Sequence, residues 1–334
     1  MTTDVQTVPR ASQPQRSKSL RRWGPPALRG WTTGDAIFRK ACAAIGASIV
    51  GLLGLLVYEL LRGSRESIDK FGLRFVVDRI WDPVAERFGA STFVYGTVVT
   101  SIIALLLAVP LGIGIAIFLV EIAPRKLAAP VGFLIELLAA IPSIVYGLWG
   151  LFVLAPIVRD DVAPVLRKTL GFLPFFRGES HGVGMLTAGI ILAVMILPFI
   201  AAVSRDVLAA VPTTQREASL ALGATKWETI RNVVLPYGRA GIAGAVVLAL
   251  GRALGETMAV TMVIGNAPEI SASLFAPGYS LPAVIANEFA EASDAMHVGA
   301  LAGLALVLFG VALVLNSAAR LLVRLVARGP RAVA

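Results

Sequence analysis

Arg252 and Glu256 stand four residues apart in an otherwise apolar run, Leu250-Gly251-Arg252-Ala253-Leu254-Gly255-Glu256-Thr257-Met258-Ala259-Val260. Arginine presents a planar fork of donors that suits the oxygens of a tetrahedral anion, and it keeps its charge at any physiological pH. A carboxylate one turn away can balance that charge when no anion is present. A helix starting near Tyr237 would place Arg252 about 22 Å along its axis, a depth at which an unpaired charge in lipid is expensive. Gly251 and Gly255, also four apart, let a neighbouring helix come close. The pair therefore reads either as an internal ion pair that fixes helix packing or, with Thr257 beside it, as part of a polar route through the membrane. Glu136 is a second carboxylate in an apolar run, about 14 Å into a helix starting at Leu127. It must meet a partner, face water, or hold a proton.

A different pattern occupies residues 205–236, which mix both charge signs and are too polar to cross lipid. Within them, Arg216-Glu217-Ala218-Ser219-Leu220-Ala221-Leu222-Gly223 predicts a short helix over Glu217–Leu222, ended by Gly223, where a positive φ costs nothing. Leu235-Pro236 then begins the next apolar run. A short helix lying on the membrane face can dock in a groove of another protein.

Those residues need elements to hold them, and the composition says which. Of the 334 residues, 57% are hydrophobic and 15% charged, with a mean hydropathy of +0.79. Soluble domains carry about a quarter charged residues. About 20 apolar residues make one membrane crossing, and six such runs are expected, near 36–61, 92–120, 127–158, 183–203, 237–265 and 296–322. Pro110, with Gly112 and Gly114, should bend the second. Pro142 and Pro156 make the third, which is long for one crossing, tilted or broken. Residues 62–91 are expected to form an amphipathic interfacial helix. Residues 159–182 and 267–294 read as loops, the first polar and the second rich in Pro and Gly.

Residues 1–35 read as a disordered cytoplasmic tail, without the apolar core of a secretory signal. Segment 36–91 holds the first helix and the interfacial stretch, 92–326 the five further crossings with the loop 205–236, and 327–334 a basic tail. The N-terminal tail is basic (Arg10, Arg16, Lys18, Arg21, Arg22, Arg29) and so is the C-terminal end, while 267–294 has no Lys or Arg but has Glu269, Glu288, Glu291 and Asp294. Both termini are therefore expected in the cytoplasm. The net charge of +9 belongs beside the apolar runs and anionic lipid headgroups, not on nucleic acid. Cys42 alone excludes an intrachain disulfide, and His181 and His297 have no ligand spacing, so no metal site is expected.

The loop resembles the coupling loop of ABC-importer permeases, Glu-Ala-Ala, three residues, Gly, nine residues, Ile-x-Leu-Pro. Glu217, Ala218, Gly223, Leu235 and Pro236 match in spacing, while Ser219 and Val233 depart mildly. The runs Gly251–Val260, Glu136–Gly150 and Asn287–Ala292 resemble the PstC-type permease subunits of phosphate importers, and the likeness covers roughly residues 70–325. It implies an all-α, six-helix type I importer core (MetI-like) in a bacterial plasma membrane, moving inorganic phosphate by alternating access. It also implies three protein partners: an ATP-binding subunit, a second homologous permease, and an extracytoplasmic phosphate-binding protein. The pathway residues would be Arg252, Glu256, Glu136 and Thr257; the coupling residues would be Glu217, Ala218, Ser219, Gly223, Leu235 and Pro236. The chain has no Gly-x-x-x-x-Gly-Lys-Ser/Thr motif, so ATP and Mg would sit on the partner and this chain would be no enzyme and bind no cofactor. Alternatives are a permease for sulfate or molybdate, or a membrane phosphate sensor.

Overall fold

The computed structural model describes residues 33–327, so the expected N-terminal tail up to residue 32 and the basic end from 328 lie outside the described residues. Among the described residues, six helical stretches are long and apolar enough to cross a membrane: 34–63, 91–122, 143–170, 185–209, 226–255 and 295–324. The chain divides into two compact units after Leu56, within α1 (Thr33–Gly63). Up to that point α1 is an apolar helix with open side chains such as Phe38 and Val50, the surface that lipid covers.

In the second unit, the centre is α7 (Met185–Ala209), and its Ile191, Leu192, Ile196 and Ile200 are fully or almost fully buried. Against it lies α3 (Ser91–Ile117), which offers small residues, Ala104 and Ala108 among them. Interfaces built on small residues suit lipid, where backbone approach and van der Waals packing replace the hydrophobic effect between helices. Gly112 makes the need explicit, because a Cβ there would come within 2.8 Å of Ile200 Cγ2. The expected bend site, Pro110, lies within α3, which stays α-helical to Ile117 before a π-helical turn, Phe118–Ile122.

The third crossing is broken, as its prolines predict. Its first part is a separate helix, α4 (Arg125–Ala139), only 15 residues long and so about 22 Å, too short to span about 30 Å of hydrocarbon. The chain breaks at Ala140–Pro142, where Pro142 lacks an N–H and restricts Ile141 before it. After the break, α5 (Ser143–Trp149) opens a second helical stretch that α6 (Ala163–Leu170) closes. The pieces before and after the break run on together along α7, since Arg205 reaches Gly132 and Glu136, Ile191 meets Gly150, and the Ala155 carbonyl meets Gly182 just ahead of α7, so the crossing includes α4. Residues 159–170 are thus helix and not loop. At 28 residues the helical stretch runs about 42 Å, so its last turns, with Arg159, Asp160, Asp161, Arg167 and Lys168, extend past the apolar layer.

Segment 62–91 also differs from the single interfacial helix expected of it. It forms α2 (Arg65–Phe71), a turn of helix at Arg74–Val77, and an antiparallel pair, β1 (Trp81–Asp82) with β2 (Arg87–Phe88). Gly72 at φ +55° separates the two helical pieces, and Pro83 sits in the turn between the strands. The segment's aromatic residues pack on protein and not on headgroups: Trp81 meets Phe88 and Phe93 edge to face, and Phe93 meets Tyr279. This cluster caps one end of the bundle together with α11 (Leu281–Glu288) and the start of α12 (Ala295–Ala327). Burial pushes the Tyr279 phenol above its ordinary value, partly offset by the hydrogen bond that Asn287 Nδ2 donates to it at 2.9 Å.

Gly96 is where α3 touches the cap, and a Cβ there would fall on the backbone carbonyl of Tyr279. Backbone cannot retreat as a side-chain tip can, so Gly96→Ala should destabilise by about 1–3 kcal/mol. A drop in the apparent Tm of the detergent-purified protein checks this; an unchanged Tm would mean that the cap moves freely.

Candidate functional site

The fifth crossing is offset from the expected 237–265. It begins at Lys226 and ends at Gly255, with a π-helical turn over Ile230–Val234 leading into α9 (Leu235–Gly255). The wide turn lies just ahead of Pro236, whose ring and missing N–H disfavour regular α-helical bonding to the preceding turn. Glu256 is extended (φ −71°, ψ 125°), and a new short helix, α10 (Met258–Val263), follows Thr257. Arg252 and Glu256 therefore do not share one continuous helix face as their spacing suggested, and among the described residues they form no ion pair. The only local hint of the break was Gly255, since nothing else in the run opposes a helix.

Two breaks now lie close together. The helix after Pro142, α5, packs on the helix after Thr257, α10: a Cβ on Gly147 would come 3.1 Å from Ala259 Cα. Tyr146, on α5, reaches back over its own break and donates to the Leu138 carbonyl at 2.8 Å. The same phenol lies within electrostatic reach of Arg252, which is exposed in the last turn of α9. Thr257 turns its hydroxyl to the Gly255 carbonyl, 3.3 Å away, and its own carbonyl accepts from Thr261 Oγ1 at 2.8 Å. Non-helical backbone at membrane depth persists where protein or a water-filled cavity satisfies it. Arg252, Glu256 and Thr257 thus flank the second break, and Tyr146 follows the first.

Glu136 has a different partner. Its carboxylate accepts from Arg205 Nη2 of α7 at 2.8 Å, and the same nitrogen is 3.2 Å from Asp206 Oδ1. Gly132, one turn before Glu136, leaves room for this arginine, because a Cβ would be 2.8 Å from Nη1. Glu136 is thus paired, while its side chain stays half exposed. Sequence reading had not singled out Arg205, because a charge near the end of an apolar run looks like a boundary marker.

The loop after α7 carries the expected helix, α8 (Thr213–Ala221), four residues longer at its start than Glu217–Leu222 and one shorter at its end. Gly223 has φ +86°, its N–H donates to Leu220 O at 3.0 Å, and the Ala224 N–H donates to Ser219 O at 3.2 Å. These two bonds are the Schellman pattern that closes a helix through a left-handed residue. Thr225 and Glu228 then cap the next helix reciprocally, and Ser219 Oγ lies 3.0 Å from Thr229 Oγ1 across the turn. Glu217 and Ala218 are exposed; so, more tellingly, are Leu222 (90%) and Trp227 (62%), large apolar side chains beside a charged helix. Nothing lies within 4 Å of a Cβ at Gly223, so Gly223→Ala costs only the backbone term, about 1–2 kcal/mol. Hydrogen exchange at the Ala224 amide should quicken by about 5–30-fold; unchanged protection would show that another loop conformation serves equally well.

A family model described as "Binding-protein-dependent transport system inner membrane component" matches residues 108–331. A protein of Mesorhizobium japonicum named phosphate transport system permease protein PstC is 49% identical over 306 residues, covering 90% of this chain and 94% of its own. This chain belongs to the PstC family of inner membrane permeases. A PstC of Haemophilus influenzae is 46% identical over 293 residues, covering 86% of this chain and 93% of its own. Two solved structures agree on the fold alone. The alginate ABC transporter, in complex with an alginate pentasaccharide-bound periplasmic protein, gives a TM-score of 0.56 at 15% identity, over 88% of this chain and 98% of that one. An inward-facing MetNI methionine ABC transporter gives 0.51 at 22% identity, over 75% and 100%. This PstC-family chain is accordingly an all-α, multi-pass inner membrane protein with the MetI-like importer fold.

Proposed function

We propose that this permease carries inorganic phosphate into the cytoplasm as one subunit of an ATP-driven importer working by alternating access. The observation that carries the reading is the unneutralised Arg252 beside two facing helix breaks, in a chain whose relatives are named phosphate permeases. An arginine without a carboxylate partner, in the last turn of a membrane crossing, needs an anion or water to offset its charge. The fork of Arg252 takes phosphate oxygens in two parallel bonds, and Thr257 supplies a neutral donor beyond the break. A separate ATP-binding subunit docks on α8, around Glu217, Ala218, Ser219 and the exposed Leu222 and Trp227, with Gly223, Leu235 and Pro236 setting the loop's exit. ATP and Mg reside on that subunit. A second homologous permease completes the pathway, an extracytoplasmic binding protein delivers phosphate, and both termini lie in the cytoplasm with α8.

The test is uptake of radiolabelled phosphate into proteoliposomes holding this chain, its partner permease, the ATPase and the binding protein. Uptake that requires ATP on the ATPase side, and that sulfate and molybdate do not compete, is the expected result. Uptake without ATP would overturn the coupling, and competition by sulfate or molybdate would reassign the substrate.

A further inference from the structure

Arg216 immediately precedes Glu217 on α8, yet its side chain turns inward, away from the exposed docking face. Its guanidinium is 17% exposed and the carboxylate it meets, Glu121, 10%. Nε and Nη2 both donate to Glu121 Oε1, at 3.0 and 2.8 Å. Nη2 also donates to the Leu208 carbonyl at 2.8 Å, and Nη1 to the Val211 carbonyl. One side chain therefore ties together three chain segments. Glu121 lies in the π-helical turn that ends the second crossing, Leu208 in the last turns of α7, and Val211 at the corner from which α8 leaves.

Covalently, α8 is joined to the fourth crossing before it and the fifth after it, but not to the second. Besides Arg216, α8 offers Ser219, whose hydroxyl bonds to that of Thr229 and so runs to the fifth crossing. A buried guanidinium engaged through a planar fork resists rotation more than an ammonium would, because each donor has a fixed direction. Separating the two charges would leave each without its partner in a largely desolvated place, a costly outcome.

We infer that Arg216 and Glu121 are positioning residues that transmit the displacement of α8 to the second membrane crossing, so that α3 moves with the loop pushed by the ATPase. The inference rests on the importer reading above and adds to it the route by which force reaches a helix the loop does not adjoin in sequence.

The experiment uses the reconstituted importer and reads phosphate taken up per ATP hydrolysed. In Arg216→Gln and in Glu121→Gln, the complex should assemble and hydrolyse ATP while uptake per ATP falls about tenfold or more. The double variant should be no worse than either single one, and Arg216→Lys should recover part of the ratio. A ratio within twofold of wild type in both single variants overturns the inference. So does loss of the complex in both, which would make the pair a structural brace alone. Absence of ATP-dependent uptake in the unaltered complex would instead overturn the importer reading.

Discussion

Arg252→Glu should cut phosphate uptake by the assembled importer at least a hundredfold while leaving the complex intact. Removing one partner of a desolvated, hydrogen-bonded charge contact costs about 2–5 kcal/mol, and each 1.4 kcal/mol is tenfold, so the range starts at about thirtyfold before any repulsion is added. Reversal adds that repulsion by setting a carboxylate against the anion, next to Glu256. Assembly should survive because Arg252 is exposed and has no ion pair among the described residues, so its removal orphans no carboxylate. Arg252→Gln, which keeps donors without charge, should fall in between. Uptake and size-exclusion profile measured on the same preparation check both halves. Loss of the complex with uptake would return Arg252 to a packing role.

Leu222→Asp should weaken binding of the ATPase subunit by about thirtyfold or more, with little effect on the permease itself. Leu222 is 90% exposed at the end of α8 and Trp227 is 62% exposed just past Gly223. Large apolar residues offered together next to a charged helix mark a partner surface, and truncating an anchor of such a surface costs about 2 kcal/mol or more. An aspartate there would also be carried into a desolvated interface. Because Leu222 contributes almost nothing to the internal core, the variant's Tm in detergent should match wild type. Titration of labelled ATPase against permease in nanodiscs measures the loss, and unchanged affinity would remove Leu222 from the docking face.

Much of this arrangement was legible in the sequence, and the reasons for success and failure differ by residue. The apolar runs are long and nearly free of charge, and lipid permits only helices that satisfy their own backbone, so the six-helix, all-α class followed directly. Gly223 was legible because a left-handed helix stop has one preferred residue, and Glu217 stands in the helix expected of it. The break at Pro142 was foreseeable from proline chemistry. The break at Glu256 was not, because Glu256 and Thr257 are compatible with a helix and Gly255 alone is a weak stop signal. Pairings across the sequence were equally hidden: Glu136 with Arg205 and Glu121 with Arg216 are 69 and 95 residues apart. Their spacing carries no period that a local reading detects. The fate of 62–91 was misread because its mixed charged and apolar pattern fits a headgroup surface and an aromatic protein cap equally well.

The aromatic cap has a consequence for the order in which the chain matures. Trp81 Nε1 donates to Glu288 Oε2 at 2.8 Å, and these residues are 207 positions apart. His297 Nε2 lies 3.0 Å from the same carboxylate oxygen, and its ring stacks on Phe88. At about 5–20 residues per second, a ribosome needs about 10–40 s to make that stretch. For that interval Trp81 and Phe88 have emerged but lack the residues that cover them, while four further crossings are still being threaded into the bilayer. The cap is therefore among the last parts of the protein to close, and the segment before α3 waits exposed until the sixth crossing arrives. A chaperone or insertase that shields aromatic surface would act on this protein in that window.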